Sequence, residues 1–202
     1  MGAYMFDWFS LDNSPRPSMD TNTDAIELLK RDHAIVKDLF DEFENARSRQ
    51  SKKKIAAQVL QELKIHAALE EEIFYPAVRK HVGKDIMNEA DEEHHVAKLL
   101  VAELEDLDGR GDHYDAKFTV LAENVRHHIK EEENEMLPKA GKAKLDFEAL
   151  AEKMTRRKEK LLEGGVPPAG EERMVKASRG RGDSPARAAK RKPPKLPNRK
   201  KG

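Results

Sequence analysis

The 202-residue sequence contains no cysteine, which excludes disulfide bonds, thiolate-bound zinc and iron–sulfur clusters. Any bound metal ion must therefore be held by nitrogen and oxygen atoms. Aromatic residues make up only 5% of the chain and charged residues 38%, a balance that favours helices with solvated charged faces over a β-sandwich. No apolar run approaches the roughly 20 residues of a membrane span. The amino-terminal segment also lacks the early Lys or Arg of a signal peptide, so we expect a cytoplasmic protein.

The net charge of zero conceals two segments of opposite charge. Residues 164–202 contain 12 Lys or Arg and 3 Asp or Glu, a balance of +9, which leaves −9 on residues 1–163. We expect residues 1–22 to form a flexible leader. We expect residues 164–202 to form a disordered basic tail, because they include almost no large apolar residue that folding could bury. The basic stretch 173–201 suits non-specific contact with nucleic acid or another anionic partner, and a solubilising role fits it equally well.

Four segments have apolar residues at alternating steps of three and four, the period of helices in a bundle core. Their clearest boundaries are a start near Asp24, a stop at Pro76, a start after Gly83 and a stop at Pro138. The short connections favour antiparallel neighbours. The sequence thus predicts an all-α fold. Residues 23–163 form an up-down-up-down four-helix bundle with an additional C-terminal helix over residues 146–163, followed by the disordered basic tail.

A set of histidine, glutamate and proline residues occurs twice with nearly the same spacing. The two sets are His33, His66, Glu70 and Pro76, then His94, His128, Glu132 and Pro138, and one inserted residue accounts for the difference in spacing. In each half the second His and the Glu are four residues apart, which places both on one helical face. All six ionisable residues fall within the apolar stripes, where they are costly unless paired or metal-bound. The repetition favours a metal site over a structural role for isolated histidines.

Four imidazoles and two carboxylates exceed the four ligands of one tetrahedral zinc ion and are about the right number for two metal ions. Neutral imidazole and carboxylate without sulfur suit iron, manganese or zinc. His95 and His127 lie one position out of the apolar register, so we do not predict them as ligands. We interpret Glu131 and Glu133, which flank Glu132, as part of a solvated acidic face.

The segments that carry these residues resemble the four helices of hemerythrin-like proteins, the HHE cation-binding group. The resemblance rests on DHAIVKDLF, HAALEEEIFYP, EEHHVAKLL and HHIKEEENEMLP and covers roughly residues 24–160. It implies a four-helix bundle that holds two iron ions (Fe) bridged by two carboxylates and an oxo or hydroxo group. Carried over by position, the terminal ligands would be His33, His66, His94 and His128, and the bridging carboxylates Glu70 and Glu132.

The sequence departs from the oxygen-carrying hemerythrins at two positions. Lys98 stands where those proteins have a fifth histidine, and Glu132 follows His128 by four residues where they have an Asp after five. The chain is therefore more similar to the bacterial hemerythrin-like branch, whose members are linked to oxygen sensing, peroxide decomposition, nitric oxide or iron handling. Glu71 is a candidate replacement ligand, Lys98 a candidate proton or charge donor, and Tyr75 a candidate hydrogen-bond donor to a ligand.

We therefore predict a non-haem di-iron protein that binds O2 or a related small ligand, either peroxide or NO. It would act as a sensor or as a peroxide-decomposing protein. The alternative is a metal-stapled interaction module whose basic tail, residues 173–201, binds nucleic acid or another anionic partner. Peroxide turnover above that of free iron would distinguish the two hypotheses.

Overall fold

The computed structural model describes residues 24–180 of the chain. The predicted leader and residues 181–202 of the predicted tail lie outside these described residues. Regular structure within residues 24–180 is helical, and none of these helices is long and apolar enough to cross a membrane. The helices are α1 (Ala25–Asn45), α2 (Arg49–Leu69), α3 (Tyr75–Val82), α4 (Lys84–Leu107), α5 (Tyr114–Glu131), α6 (Leu137–Ala140), α7 (Phe147–Gly164) and α8 (Gly170–Gly180).

Four helical rods form the predicted all-α bundle. The first rod is α1, the second is α2 continued by α3, the third is α4, and the fourth is α5 continued by α6. Helix α1 packs along α2, and α4 packs along α5. The short loop between α1 and α2 returns the chain in the opposite direction, as the spacing predicted. Helix α7 is the predicted additional helix, and it packs against α1 and α2. The fold class read from the sequence is confirmed.

The starts of several helices follow from their capping residues. Asp24 accepts a hydrogen bond of 2.9 Å from the backbone N–H of Glu27, and Asp146 accepts one of 2.9 Å from Ala149. Each satisfies a backbone donor that the first helical turn leaves free. Gly83 joins α3 to α4 with φ = 114°, a backbone conformation that residues other than glycine rarely adopt.

The prediction that helices stop at Pro76 and Pro138 is wrong. A π-helical turn, Glu70–Phe74, joins α2 to α3, and a second, Glu132–Met136, joins α5 to α6. Each proline then lies in the first turn of the following α-helix, where its missing N–H has no intrahelical partner to lose. The extra residue also shifts the helical register by one position. As a result, the adjacent residues Phe74 and Tyr75 both face the interior.

Two apolar clusters lie on either side of a polar layer in the bundle. In α1, Leu29 belongs to one cluster and Val36 to the other, and the buried His33 lies between them. The second cluster includes Phe43 stacked on Phe118, with ring centroids 3.7 Å apart. Apolar packing on both sides thus fixes the helices that carry the polar layer.

The prediction of disorder from residue 164 onward is wrong for Gly170–Gly180, which form α8 against α4. Polar contacts attach this helix. Glu171 lies 2.7 Å from Nδ1 of His95, and Glu172 accepts from Lys64 at 2.8 Å. A criterion based on buried apolar residues does not detect a helix held in this way.

Candidate metal centre

Six side chains converge in the polar layer, and we call them the inner cluster. Each of the four long rods contributes at least one of them, and none is more than 8% exposed. The members are His33 from α1, His66 from α2, Glu70 from the first π turn, His94 from α4, His128 from α5 and Glu132 from the second π turn. The structure therefore brings together all six residues predicted as ligands.

The four imidazoles form two pairs whose Nε2 atoms face each other. The Nε2 atoms of His33 and His66 are 3.2 Å apart, and those of His94 and His128 are 3.1 Å apart. Ring centroids in both pairs are 4.8 Å apart, with the rings steeply inclined to each other. The twofold repeat in the sequence thus becomes an approximate twofold repeat in space.

Each glutamate of the inner cluster reaches one imidazole of each pair. The Oε2 atom of Glu70 is 3.2 Å from Nε2 of both His66 and His94. Glu132 spans the two pairs in the same manner, with distances from its Oε2 atom of 3.2 Å to His33 and 3.6 Å to His128. A carboxylate placed between two imidazole pairs is arranged as a bridge between two sites.

Unsatisfied oxygen atoms provide a test of whether these residues suit metal ions. Both carboxylate oxygens of Glu70, and Oε2 of Glu132, are buried and have no hydrogen-bond partner. Buried carboxylates without partners are costly, and a coordinated cation removes that cost. Groups of ligand atoms close enough to hold an ion include His33, His66, Glu70 and Glu132 in one set and Glu70, His94 and His128 in another. The donor set fits two cations that share Glu70.

Every imidazole of the inner cluster has a carboxylate on its outer side, facing Nδ1. An N–H on Nδ1 that points to a carboxylate leaves the lone pair of Nε2 directed into the cluster. The four outer carboxylates and their distances to Nδ1 are Glu133 to His33 at 3.1 Å, Asp32 to His66 at 3.9 Å, Glu71 to His94 at 2.9 Å and Glu93 to His128 at 2.7 Å.

Three lysines contact the outer carboxylates. Lys37 lies 3.1 Å from Glu133, Lys98 lies 2.8 Å from Glu71, and Lys158 lies 2.6 Å from Asp32. With neutral imidazoles, the six carboxylates in the two layers outnumber these three ammonium groups. The resulting negative charge around a buried centre is complementary to divalent cations.

Tyr75 donates a hydrogen bond of 2.9 Å to Oε1 of Glu132, and its hydroxyl oxygen is 3.1 Å from Nε2 of His94. Burial, together with the carboxylates of Glu70 and Glu132, raises the pKa of Tyr75 well above its usual range. The phenol therefore remains a donor at neutral pH. Its contact holds Oε1 of Glu132, while Oε2 of the same carboxylate faces the imidazoles of His33 and His128.

The carboxylates also shift the pKa values of the imidazoles. Burial alone would lower the pKa of His94, but Glu70 and Glu71 raise it to about 9. Burial likewise opposes the charged form of His66, and Glu70 and Asp32 raise its pKa well above the usual range. Burial would raise the pKa of Glu70, but His66 lowers it well below its usual range. The excess of carboxylates thus favours the protonated, positively charged form of these imidazoles. A bound metal ion would supply that positive charge in place of the protons.

An apolar cavity of about 40 Å³ borders all four imidazoles of the inner cluster. Its remaining walls are aliphatic side chains, with two lysines among the lining residues. The aliphatic residues are Val36, Leu63, Ala67, Ala97, Val101, Val125 and Ile129, and the lysines are Lys64 and Lys98. Since a water-sized sphere needs roughly 10–15 Å³ of such space, the cavity has room for only about three small atoms.

The structure also shows the contacts of the residues whose part in the site the sequence did not decide. The carboxylate of Glu71 lies on the outer side of His94 and does not face the inner cluster. Lys98 pairs with Glu71, and Tyr75 contacts Glu132. The interpretation of Glu133 as part of a solvated face is wrong, because its carboxylate contacts His33.

The outer carboxylates Asp32, Glu93 and Glu133 were not predicted from the sequence. The repeat contained a signal for them. Asp32 and Glu93 each directly precede the first histidine of a half, and Glu71 and Glu133 each directly follow a repeated glutamate. Comparing every ionisable position between the two halves, and not only those on the apolar stripe, would have found all four.

Comparison with known proteins agrees with this arrangement. Residues 24–140 match the family described as "Hemerythrin HHE cation binding domain". A solved structure, a hemerythrin HHE cation binding domain-containing protein from Mycobacterium kansasii, is 26% identical with a TM-score of 0.59, covering 71% of this chain and 94% of that one. A protein named DNA nickase from Nostoc sp. (strain PCC 7120) is 27% identical over 108 residues, 54% of this chain and 31% of that protein's length. Because the family match spans more than half of the chain, the chain belongs to the hemerythrin HHE cation-binding domain family.

Proposed function

We propose that the protein is a non-haem di-iron protein that binds peroxide, O2 or NO at the inner cluster and decomposes peroxide. The apolar cavity that ends on all four imidazoles is the observation that carries this proposal. A cavity of this size next to the imidazoles has room for these small ligands. Nitrogen and oxygen donors without sulfur suit iron.

The residues that would hold the two ions are the six of the inner cluster. His33 and His66 would hold one ion, His94 and His128 the other, with Glu70 and Glu132 shared between them. Iron in this setting supplies open coordination positions for a small ligand and a reversible change of oxidation state.

The surrounding residues orient and protect this centre. Outer carboxylates fix the tautomers of His33, His94 and His128, and Tyr75 fixes Glu132 by its hydrogen bond. Aliphatic side chains such as Val101 and Ile129 limit water at the imidazoles. Lys98 also lines the cavity, and its ammonium group is paired with Glu71 behind His94.

The test begins with the metal content of anaerobically purified protein and its optical spectrum before and after exposure to air. We expect about two iron ions per chain, and charge-transfer absorption that appears on oxidation. The same measurements on His66→Ala and His128→Ala should show loss of iron and of the absorption, with circular dichroism verifying that both variants fold.

Peroxide turnover decides the activity. The iron-loaded protein should consume peroxide faster than an equal concentration of free iron, and the two variants should not. One zinc ion per chain, or turnover no greater than that of free iron, would contradict the proposal and favour a metal that only stabilises the bundle.

A sensor is the second candidate function, because α8 contacts a residue of the ligand cavity. Lys64 lines this cavity and lies 2.8 Å from Glu172 of α8 and 3.0 Å from Glu105. A change of ligand at the inner cluster that moves Lys64 would alter the attachment of α8. Limited proteolysis after α8, compared between reduced and air-oxidised protein, tests this candidate.

The nucleic-acid alternative rests on composition and on one relative. The stretch 173–201 is strongly basic, and the relative named DNA nickase shares 27% identity with 54% of this chain. The chain covers only 31% of that relative, so the nicking activity of the longer protein transfers only as a hypothesis. Binding to double-stranded DNA that weakens steeply with salt, and is lost when residues 181–202 are removed, would support it.

A further inference from the structure

A second cavity, also of about 40 Å³, reaches the inner cluster between α4 and α5. Its walls include His128 and Glu132 of that cluster, so it opens onto the same centre as the apolar cavity. Five of its nine lining residues are glutamates, and none is Lys or Arg. The glutamates are Glu89, Glu93, Glu131, Glu132 and Glu135.

Two of these glutamates, Glu93 and Glu131, form a group of metal-ligand type with the exposed His127. Nε2 of His127 lies 3.1 Å from Oε1 of Glu131 and 3.7 Å from Oε1 of Glu93. One ligand atom from each of these residues lies within 4.8 Å of the others. An imidazole and two carboxylates can hold a divalent cation and leave positions for water.

Glu93 connects this outer group to the inner cluster. Its Oε1 faces His127, and its Oε2 lies 2.7 Å from Nδ1 of His128. Side-chain exposure falls steadily along the path: 60% for His127, 37% for Glu131, 15% for Glu93, 8% for His128 and 1% for Glu132.

An unpartnered atom lies at the buried end of the path. Oε2 of Glu132 has no hydrogen-bond partner, and Glu132 lines this acidic cavity. This oxygen faces the imidazoles of His33 and His128, so the acidic path ends at a buried carboxylate oxygen of the inner cluster that accepts no hydrogen bond.

The internal repeat shows that much of this acidity is specific to the second half, although Glu93 and Glu132 correspond to the acidic residues Asp32 and Glu70. In the first half, the positions equivalent to His127 and Glu131 are occupied by Ile65 and Leu69. Glu135 and Glu89 likewise correspond to apolar residues, Ile73 and Leu28. The apolar set packs in one cluster with Met154 of α7. The fold thus closes one side of the centre with apolar packing and leaves the other side open and acidic.

The two cavities differ in charge, and this difference favours small ligands in the apolar cavity and metal cations in the acidic one. The apolar cavity has two lysines, Lys64 and Lys98, and no carboxylate among its lining residues, whereas the acidic cavity has five glutamates and no Lys or Arg. Lys139 reaches only the outermost glutamate, Glu135, at 3.7 Å. A cleft lined by one sign of charge concentrates ions of the opposite sign and accelerates their binding by about 10- to 1,000-fold.

We propose that Glu93, His127 and Glu131 form an outer divalent-cation site, from which metal ions pass by way of Glu93 to His128 and Glu132 of the inner cluster. The transfer step rests on the proposed function, since it requires a metal centre inside the bundle. The outer site itself does not.

The transfer step is tested by the rate at which metal-free full-length protein takes up ferrous iron under anaerobic conditions. Samples are quenched with a strong chelator at set times. The His127→Ala/Glu131→Gln double variant should load at least tenfold more slowly than the unmodified protein, although all six inner residues remain. The matched control His81→Ala/Glu42→Gln removes the same residue types from exposed positions elsewhere and should load at the unmodified rate. Equal rates in all three proteins would overturn the route.

The outer site is tested separately with Mn²⁺ as a paramagnetic probe. In nuclear magnetic resonance spectra of protein whose inner cluster is filled with diamagnetic Zn²⁺, Mn²⁺ should broaden the imidazole signals of His127 before those of His81. Broadening of His81 and His127 at the same Mn²⁺ concentration would overturn the outer site. If the unmodified protein does not retain iron but the signals of His127 are still selectively broadened, the outer site is supported and the proposed di-iron function is contradicted.

Discussion

The hydroxyl of Tyr75 donates a 2.9 Å hydrogen bond to Glu132, which lies in the other half of the repeat. The contact depends on the first π-helical turn, because the extra residue there rotates Tyr75 into the bundle. In the first half Glu70 has no corresponding donor, since both of its carboxylate oxygens lack a hydrogen-bond partner. The two shared carboxylates therefore differ in environment even though the repeat places them alike.

Replacement of Tyr75 by Phe should destabilise the metal-free protein by about 1.5–3 kcal/mol, because a buried carboxylate loses its donor. Chemical denaturation measures this change. The control is Tyr114→Phe, since Tyr114 is also buried but its hydroxyl has no hydrogen-bond partner within residues 24–180. An equal loss in both variants would mean that packing, and not the Tyr75 hydrogen bond, accounts for the effect.

Glu71 and Glu72 are adjacent glutamates with different partners, which provides a matched pair of variants. Glu71 contacts Nδ1 of His94, whereas Glu72 pairs with Arg157 on the surface. Glu71→Gln should weaken metal binding about 10- to 100-fold, the usual effect of losing a carboxylate behind a histidine ligand. Glu72→Gln should leave it unchanged. Competition with a chromophoric chelator measures both, and equal affinities would show that Glu71 does not support the centre.

Much of the centre could be predicted from the sequence, because its residues occupy the apolar stripe of each helix and recur at a nearly constant interval along the chain. A polar residue on such a stripe is visible against its neighbours. Asp32 and Glu93 are not visible in this way, since each lies beside the stripe and reaches a histidine of the neighbouring helix. Spacing along one helix does not reveal contacts between helices.

The ends of the helices and the attachment of α8 could not be read from local rules. Pro76 normally indicates a helix end, but the π turn before it lets the helix continue. The turn depends on interior packing of Phe74 and Tyr75, which no local propensity encodes. Likewise Glu172 attaches α8 through Lys64, which lies far earlier in the sequence.

Filling the apolar cavity should separate ligand binding from metal binding. Ala97 lines this cavity, and Ala97→Leu adds enough volume to occupy most of its 40 Å³. We expect unchanged iron content but at least tenfold weaker binding of NO. The change in the optical spectrum on addition of NO measures this binding. Ala116→Leu, an exposed position on α5, is the control and should bind NO normally. Normal NO binding in Ala97→Leu would show that ligands reach the metal by another path.

Metal ions should stabilise the fold, and Glu70 should be necessary for most of that effect. A ligand at 1,000 times its dissociation constant stabilises the state that binds it by about 4 kcal/mol, which raises the unfolding temperature of a domain of this size by roughly 10 °C. Thermal unfolding with and without ferrous iron, under anaerobic conditions, measures the shift.

Glu70→Gln keeps the size of the side chain but removes the charge shared by both groups of candidate ligands. We therefore expect its unfolding temperature to respond little to iron, while that of Glu72→Gln rises as in the unmodified protein. Because both variants lose one carboxylate from the same helical turn, a general change in helix stability would affect them alike. A full response to iron in Glu70→Gln would mean that Glu70 is not a ligand and that the metal ions are held by the imidazole pairs and Glu132 alone.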